Sequence, residues 1–321
     1  MATSTAVSER AGTGAVVPRL SGVNESALDA AYAECARITQ TRARNFFYGL
    51  RLTPEPRRSA IYSIYTWMRA ADDEADAPEP ASVRRDRLAL FRARTERIIG
   101  GQVPASADPA WWTAFAATMA SYPIDPQICC DMLDGLDEDL ESNGYADDEA
   151  LGRYCYRVAG TAGLACLWIW GLREGADPAK AREFALRRGQ AFQRTNILRD
   201  FAEDFDESPR RVYLPREAFT RHGITPEDVR AWSKPEACTA FISEQAKLTR
   251  EHYTASAELE SMIDPTCRAT LWAMTRIYSG LLSVIEAEPA RIVSEKRIRL
   301  AGAKKASIAL SAAIWARVGR W

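Results

Sequence analysis

Apolar residues recur at spacings of three and four through ten successive stretches of this 321-residue chain: 26–40, 57–72, 83–99, 109–120, 126–141, 148–172, 178–204, 236–260, 265–287 and 303–317. That period belongs to the α-helix and gathers each apolar set on one face. Proline and glycine punctuate the gaps, at Pro54 and Pro56, Pro78 and Pro80, Gly100-Gly101, Pro123, Pro126, Pro209, Pro215, Pro226, Pro265 and Pro289. No alternating β-branched run closed by an Asn-Gly or Asp-Gly turn interrupts the pattern. The pattern predicts one all-α domain over 25–321, after a disordered tail over 1–24 that is rich in Ser, Thr, Ala and Gly.

Bulk properties narrow the function. Hydrophobic residues make up 47% of the chain, enough to bury a sizeable core. Lys and Arg number 42 against 43 Asp and Glu, so no nucleic-acid partner is expected. The seven cysteines are scattered and unspaced, which reads as reduced core thiols in a cytoplasmic protein. Two isolated histidines, His222 and His252, argue against zinc chemistry and His-based triads. The first twenty residues lack the apolar core of a signal peptide. The run from Val158 to Leu172 carries no charge but is 15 residues long, short of the roughly 20 a membrane span needs. The apolar C-terminal stretch 306–321 is read as a core helix, with peripheral membrane contact as the alternative.

Two acidic clusters carry the chemistry. Asp72-Asp73-Glu74-Ala75-Asp76 follows an apolar helical run, and Asp200-Phe201-Ala202-Glu203-Asp204 repeats the setting later in the chain. Asp72 and Asp76 share a helix face, as do Asp200 and Asp204. Such pairs are unfavourable in a helix and near its C-terminus, and two partly buried carboxylates repel by several kcal/mol at an effective dielectric of about 20. A cation relieves that. Magnesium (or manganese) suits hard oxygen donors and usually bridges carboxylates to substrate phosphates. No EF-hand loop and no Gly-rich phosphate loop occurs, so phosphate must be held by metal together with Arg or Lys. Arg69, Arg199, Arg210 and Arg211 stand beside the clusters, and Lys296, Arg297 and Arg299 form a later basic group. A third acidic run, Asp131 to Glu141, is spread around its helix and reads as a mainly solvated face. The small-residue segment from Tyr154 to Gly163 reads either as close helix packing or as a wall of an apolar tunnel, fit for a ligand with a phosphate head and a hydrocarbon tail. Phe46, Tyr48, Tyr65, Tyr154, Tyr213 and Tyr278 could turn ring faces to a carbocation there.

Residues 43–76, ARNFFYGLRLTPEPRRSAIYSIYTWMRAADDEAD, resemble the first signature of the squalene/phytoene synthases, enzymes that condense prenyl diphosphates head to head. FQRTNILRDFAEDFDESPRRVYLP (192–215) resembles the second, and LDGLDEDL, YCYRVAGTAGL and YSGLLSVIEAEPARIVSEKRIRL resemble three further blocks in the same order. The resemblance implies an isoprenoid synthase fold around a central cavity. It makes Asp72, Asp76, Asp200 and Asp204 the principal metal ligands, with Asp73 and Glu203 as supporting acids. It places Arg69, Gln193, Asn196, Arg199, Arg211 and Tyr213 at diphosphate positions, and Phe46, Tyr65, Tyr154, Val158 and Tyr278 at cavity positions. The chain departs from the family where serine is usual: Ala43 and Asn45 stand there, and Asn45 can still donate through its amide. The segment after Asp204 leaves Arg210 and Arg211 as rival candidates for one role.

The expected reaction joins two identical allylic diphosphates. The first signature leans toward farnesyl diphosphate and a presqualene or squalene product, with geranylgeranyl diphosphate and phytoene as the alternative. NADPH is undecided, and the sequence carries no signature of oligomeric state. A terpene cyclase or a noncatalytic relative are further alternatives. The Asp-rich NILRDFAED and the presence of all four principal aspartates count against them.

Overall fold

The computed structural model describes residues 20–43, 45–140, 144–208 and 210–318, with the side chains at 45, 46, 48 and 315–318 outside that description. The expected disordered tail therefore lies outside the described residues over 1–19, as do the side chains of Asn45, Phe46 and Tyr48. Within the described residues the chain is helical without a strand, apart from one antiparallel bridge between Leu172 and Ile263. The helices are α1 (Glu25–Arg42), α2 (Asn45–Leu50), α3 (Arg57–Ala75), α4 (Ala81–Ile99), α5 (Trp111–Ser121), α6 (Gln127–Asp139), α7 (Asp148–Cys155), α8 (Thr161–Trp170), α9 (Pro178–Asp206), α10 (Arg216–Arg221), α11 (Pro226–Ala231), α12 (Pro235–Ala255), α13 (Leu259–Met262), α14 (Arg268–Ala287) and α15 (Gly302–Val318).

The periodic stretches become the long helices because their apolar stripes have something to cover. On α3, Ala60, Ile64, Trp67, Ala71 and Ala75 form the buried stripe, and α1, α4 and α5 pack over it. Trp67 is its anchor. The indole stacks on Phe115 at 5.3 Å and donates from Nε1 to Thr95 at 3.1 Å. The long α9 starts cleanly: Asp177 accepts from the backbone N–H groups of Ala179 and Lys180, and Pro178 takes the first turn, where its missing N–H costs nothing. Helix α9 is the spine of the fold, packed on α8, α12 and α14. One apolar core packs on its N-terminal half around Ala181 and Ala185 and a second on its C-terminal half from Ala191 to Phe205, and Phe192 touches both.

Residues 148–172, expected as one helix, are two. Between α7 and α8 the chain widens into a π-helical turn, Tyr156–Gly160. Periodicity could not reveal it, because α8 is apolar nearly all round and one inserted residue leaves no polar mark. This turn lies against α9, where Gly189 allows the closest approach: a Cβ there would stand 2.9 Å from the Ala159 carbonyl oxygen and from the Gly160 Cα and N. Backbone cannot move aside as a flexible side chain can. Gly189→Ala is expected to lower stability by about 1–3 kcal/mol, the usual range for overpacking, read as a fall in urea midpoint at unchanged slope. An unchanged midpoint would mean that the contact is not tight in solution.

The C-terminal stretch forms α15, which packs on α14 through buried Ile308 and Ala312 but leaves Leu310 63% and Ile314 48% exposed. No helix among the described residues is long and apolar enough to cross a membrane. All seven cysteines are free, as expected, and five are buried.

Candidate active site

Helices α3, α8, α9 and α14 and the π turn enclose a cavity of about 280 Å³. Its walls are apolar: Ile61, Ile64, Met68, Met132, Val158, Ala159, Ala162, Gly163, Phe192, Leu271 and Met274 all line it. The segment read as either packing or tunnel wall does both. Gly163 approaches the Ala185 carbonyl oxygen, while Val158, Ala159 and Ala162 face the hollow. One end is polar, lined by Tyr65, Arg69, Asp72, Gln193 and Asn196. The amide oxygen of Asn196 is buried there without a hydrogen-bond partner, while its amide nitrogen donates to Gln193 at 3.4 Å.

Both acidic clusters ride on the C-terminal ends of their helices, α3 and α9, and a single arginine ties them. The guanidinium of Arg211 donates to Asp76 at 3.0 Å, and its backbone N–H donates to the Asp204 carbonyl at 2.9 Å. Arg210 instead pairs with Glu227 and lies over the face of Phe205. Around the first cluster, Arg69 donates twice to Asp73 (2.8 and 3.0 Å) and stands 3.6 Å from Asp72, while Arg42 also reaches Asp73 at 2.5 Å. Around the second, Arg199 grips Asp200 at 2.5 and 2.8 Å, and Arg297 grips the same carboxylate at 2.7 Å on each oxygen. Arg297 lies 3.4 Å from Glu203 as well.

The carboxylates are not equivalent. Burial, reinforced by the charges of Asp76 and Asp73 against the pull of Arg69, pushes Asp72 up to about 7. Burial together with the neighbouring Asp200 and Glu207 charges does the same to Asp204, again to about 7. Burial acts on Asp200 too, but the hydrogen bonds from Arg199 and Arg297 outweigh it and hold that carboxyl below the ordinary range. Asp72, which lines the cavity, and Asp204 are thus the acids left short of positive charge, one in each cluster. An oxygen-only donor set of this kind fits a hard divalent cation. Among the described residues no three acid, His or Cys side chains converge into a ready-made cage; arginines occupy the carboxylates instead. Those same arginines are diphosphate ligands by chemistry, so an entering diphosphate gives them another partner.

The tyrosines split. Tyr65 lines the cavity, whereas Tyr154 and Tyr213 stack on each other at 5.2 Å and Tyr145 stacks on Tyr154 at 5.0 Å, outside the cavity lining. Tyr278 is buried against Phe192, ring centroids 4.8 Å apart. The third acidic run is the mainly solvated face expected, with Asp134, Asp137 and Glu138 side chains 44–46% exposed, and it is laced with polar contacts. Asp131 meets the Tyr156 hydroxyl, Asp134 and Asp137 pair with Arg92 and Arg85, and Asp139 accepts from Tyr213 at 3.3 Å. Burial raises Asp139 despite Arg211 and Tyr213 beside it. Arg42 carried no sequence signal, and Asp139 stood out only within the third acidic run and its block, both being distant in the chain from the groups they meet. Arg297 was visible only as a member of a basic group.

Residues 39–304 match the squalene/phytoene synthase family. The chain belongs to that family. It is a prenyltransferase of the head-to-head condensing type. The 15-cis-phytoene synthase of Synechococcus elongatus is 33% identical over 269 residues, covering 81% of this chain and 85% of that one. The phytoene synthase of Mycobacterium tuberculosis is 34% identical over 288 residues, covering 89% and 91%. Among solved structures, a dehydrosqualene synthase superposes with a TM-score of 0.77 at 24% identity, covering 91% of this enzyme and 99% of that chain. A squalene synthase from Alicyclobacillus acidocaldarius gives 0.73 at 21%, covering 83% and 96%. At such identities the two structures speak for the all-α isoprenoid synthase fold alone.

Proposed function

We propose that this enzyme condenses two molecules of geranylgeranyl diphosphate head to head and releases diphosphate, forming phytoene. The reading rests on one observation above all: an apolar cavity with Asp72 and Arg69 in its lining, beside which Arg211 joins Asp76 of the first acidic cluster to the Asp204 backbone of the second. The chain length comes from relatives a third identical over most of the chain that bear the name phytoene synthase. They favour the twenty-carbon substrate over the farnesyl diphosphate expected from the first signature.

Asp72, Asp76, Asp200 and Asp204, with Asp73 and Glu203 beside them, would hold magnesium or manganese, which neutralises charge developing on the departing diphosphate. Arg69, Arg199, Arg211 and Arg297 set fixed positive charge at the same mouth. Asn196 and Gln193 present amides to the diphosphate end. Tyr65, Val158 and Phe192 line the space where the allylic cation meets the double bond of the second chain, and the dry walls keep water from it. Tyr154, Tyr213 and Tyr278 back this region and hold its arginines and Asp139. Phytoene formation balances without a reductant, since each diphosphate leaves and one proton is lost with it, whereas squalene would need a hydride. NADPH is therefore outside this reading.

Purified enzyme incubated with magnesium and geranylgeranyl diphosphate, without NADPH, is expected to yield a forty-carbon hydrocarbon on extraction. A thirty-carbon product from farnesyl diphosphate, formed only with NADPH, would replace this reading by the squalene one.

A further inference from the structure

Away from Asp72 and Arg69, the apolar stretch of the cavity contains a residue that does not belong in a grease-lined tunnel. Arg188 lines the cavity beside Ala185 and Gly189, and it is 3% exposed. It lies eight residues before Asn196 and twelve before Asp200 on α9, so roughly 18 Å of helix separates it from the acidic mouth. On the same helix face the lining runs from polar Asn196 and Gln193 through Phe192 to Arg188. A buried guanidinium must be paired, and this one is. Nε donates to the Ser256 hydroxyl at 2.9 Å and Nη2 to the Ser256 carbonyl at 2.7 Å. Nη1 donates to Glu260 at 3.1 Å and also to the Thr275 hydroxyl. The partners come from three different segments: the end of α12, α13 and α14.

Leu259, Leu271, Met274 and Cys166 line the same cavity, apolar and able to change rotamer. Arg188 cannot follow them. Turning aside would break four hydrogen bonds and strand a buried charge. We propose that Arg188 is the length stop of the prenyl tunnel: a pinned polar wall that ends the space available to the substrate tail and so makes the enzyme's upper limit on chain length sharp rather than gradual. The proposal rests on the condensation reading above and adds to it which residue sets the tail length.

The test compares the substrate that wild type turns over best with the prenyl diphosphate one five-carbon unit longer. Both are supplied together at equal concentration with magnesium, and condensed products are separated by mass. Wild type is expected to exclude the longer chain. Arg188→Met, similar in length but apolar and flexible, is expected to raise the long-to-short product ratio about tenfold or more, a size of effect that small changes of fit in apolar pockets produce. Thr275→Val and Glu260→Gln, which loosen the guanidinium without removing it, are expected to raise the ratio by less. Should Arg188→Met fail to show a cooperative melting transition, those two milder variants carry the test. A folded Arg188→Met enzyme with the wild-type ratio, or unchanged ratios in both milder variants, would overturn the proposal. Absence of any head-to-head product from wild type is a separate outcome and counts against the condensation reading itself.

Discussion

Replacing Asp72 or Asp200 by asparagine is expected to lower kcat by about a hundred- to a thousandfold, the loss typical when one preorganised electrostatic contact to developing negative charge is removed. The two variants should nevertheless differ in stability, because their carboxylates sit in opposite environments. Asp72 is raised from 3.8 to about 7 by burial first and by its neighbouring acids second. Its folded state therefore holds a proton that the unfolded chain has lost. In metal-free enzyme its contribution is present below about pH 4 and is lost as pH rises through about 7. Asp72→Asn removes that penalty and should melt no lower than wild type at pH 8 with chelator present. Asp200 is lowered by Arg199 and Arg297. Its contribution is present above the ordinary carboxylate range and lost only in stronger acid. Asp200→Asn weakens two charge-assisted pairs and is expected to cost about 1–3 kcal/mol. Equal stability in the two variants under chelator would contradict this account of the mouth.

The largest loss of stability is expected from Trp67→Ala, about 3–5 kcal/mol as for other large aromatic deletions. The indole is 1% exposed, stacked on Phe115 and tilted against Phe91 at 5.9 Å. Its removal leaves a cavity among α3, α4 and α5 that Ala114, Phe115 and Trp112 are too tightly held to fill. The Thr95 hydroxyl loses the indole donor but keeps its own bond to the Phe91 carbonyl, so the unsatisfied-group penalty is small and the cavity dominates. Chemical denaturation should show the fall. Trp67→Phe, which keeps most of the volume, should recover more than half of it. The cost matters beyond stability, because α3 presents Tyr65, Arg69 and Asp72 from its other face.

Much of this was legible in the chain because helical periodicity is a local signal. Nine of the ten periodic stretches became one main helix each, 148–172 being the exception, and the i,i+4 spacing of Asp72 with Asp76 and of Asp200 with Asp204 followed from helix geometry. The short helices α2, α10, α11 and α13 were not seen, since a helix of four to six residues leaves too few turns for a period to show. The π turn was invisible for the same reason that α8 is buried: an all-apolar run has no phase. What no spacing rule could supply was long-range pairing. Arg42 with Asp73, Arg211 with Asp76, Asp139 with Tyr213 and Arg297 with Asp200 join residues 31 to 135 positions apart, and only the fold brings them together. Substrate length was the least legible feature: the first signature leaned toward fifteen carbons while the relatives bear the name phytoene synthase, because a few residues of one signature say little about how deep a cavity runs.

The central claim is that the two acid stripes act on one diphosphate. A double-mutant cycle on turnover tests it: Asp72→Asn, Asp204→Asn and the pair together, assayed with magnesium and geranylgeranyl diphosphate. Groups working as a unit lose little more when the second is removed, so the double variant should be scarcely slower than the worse single one. Losses that simply multiply would mean that the two clusters serve separate ends.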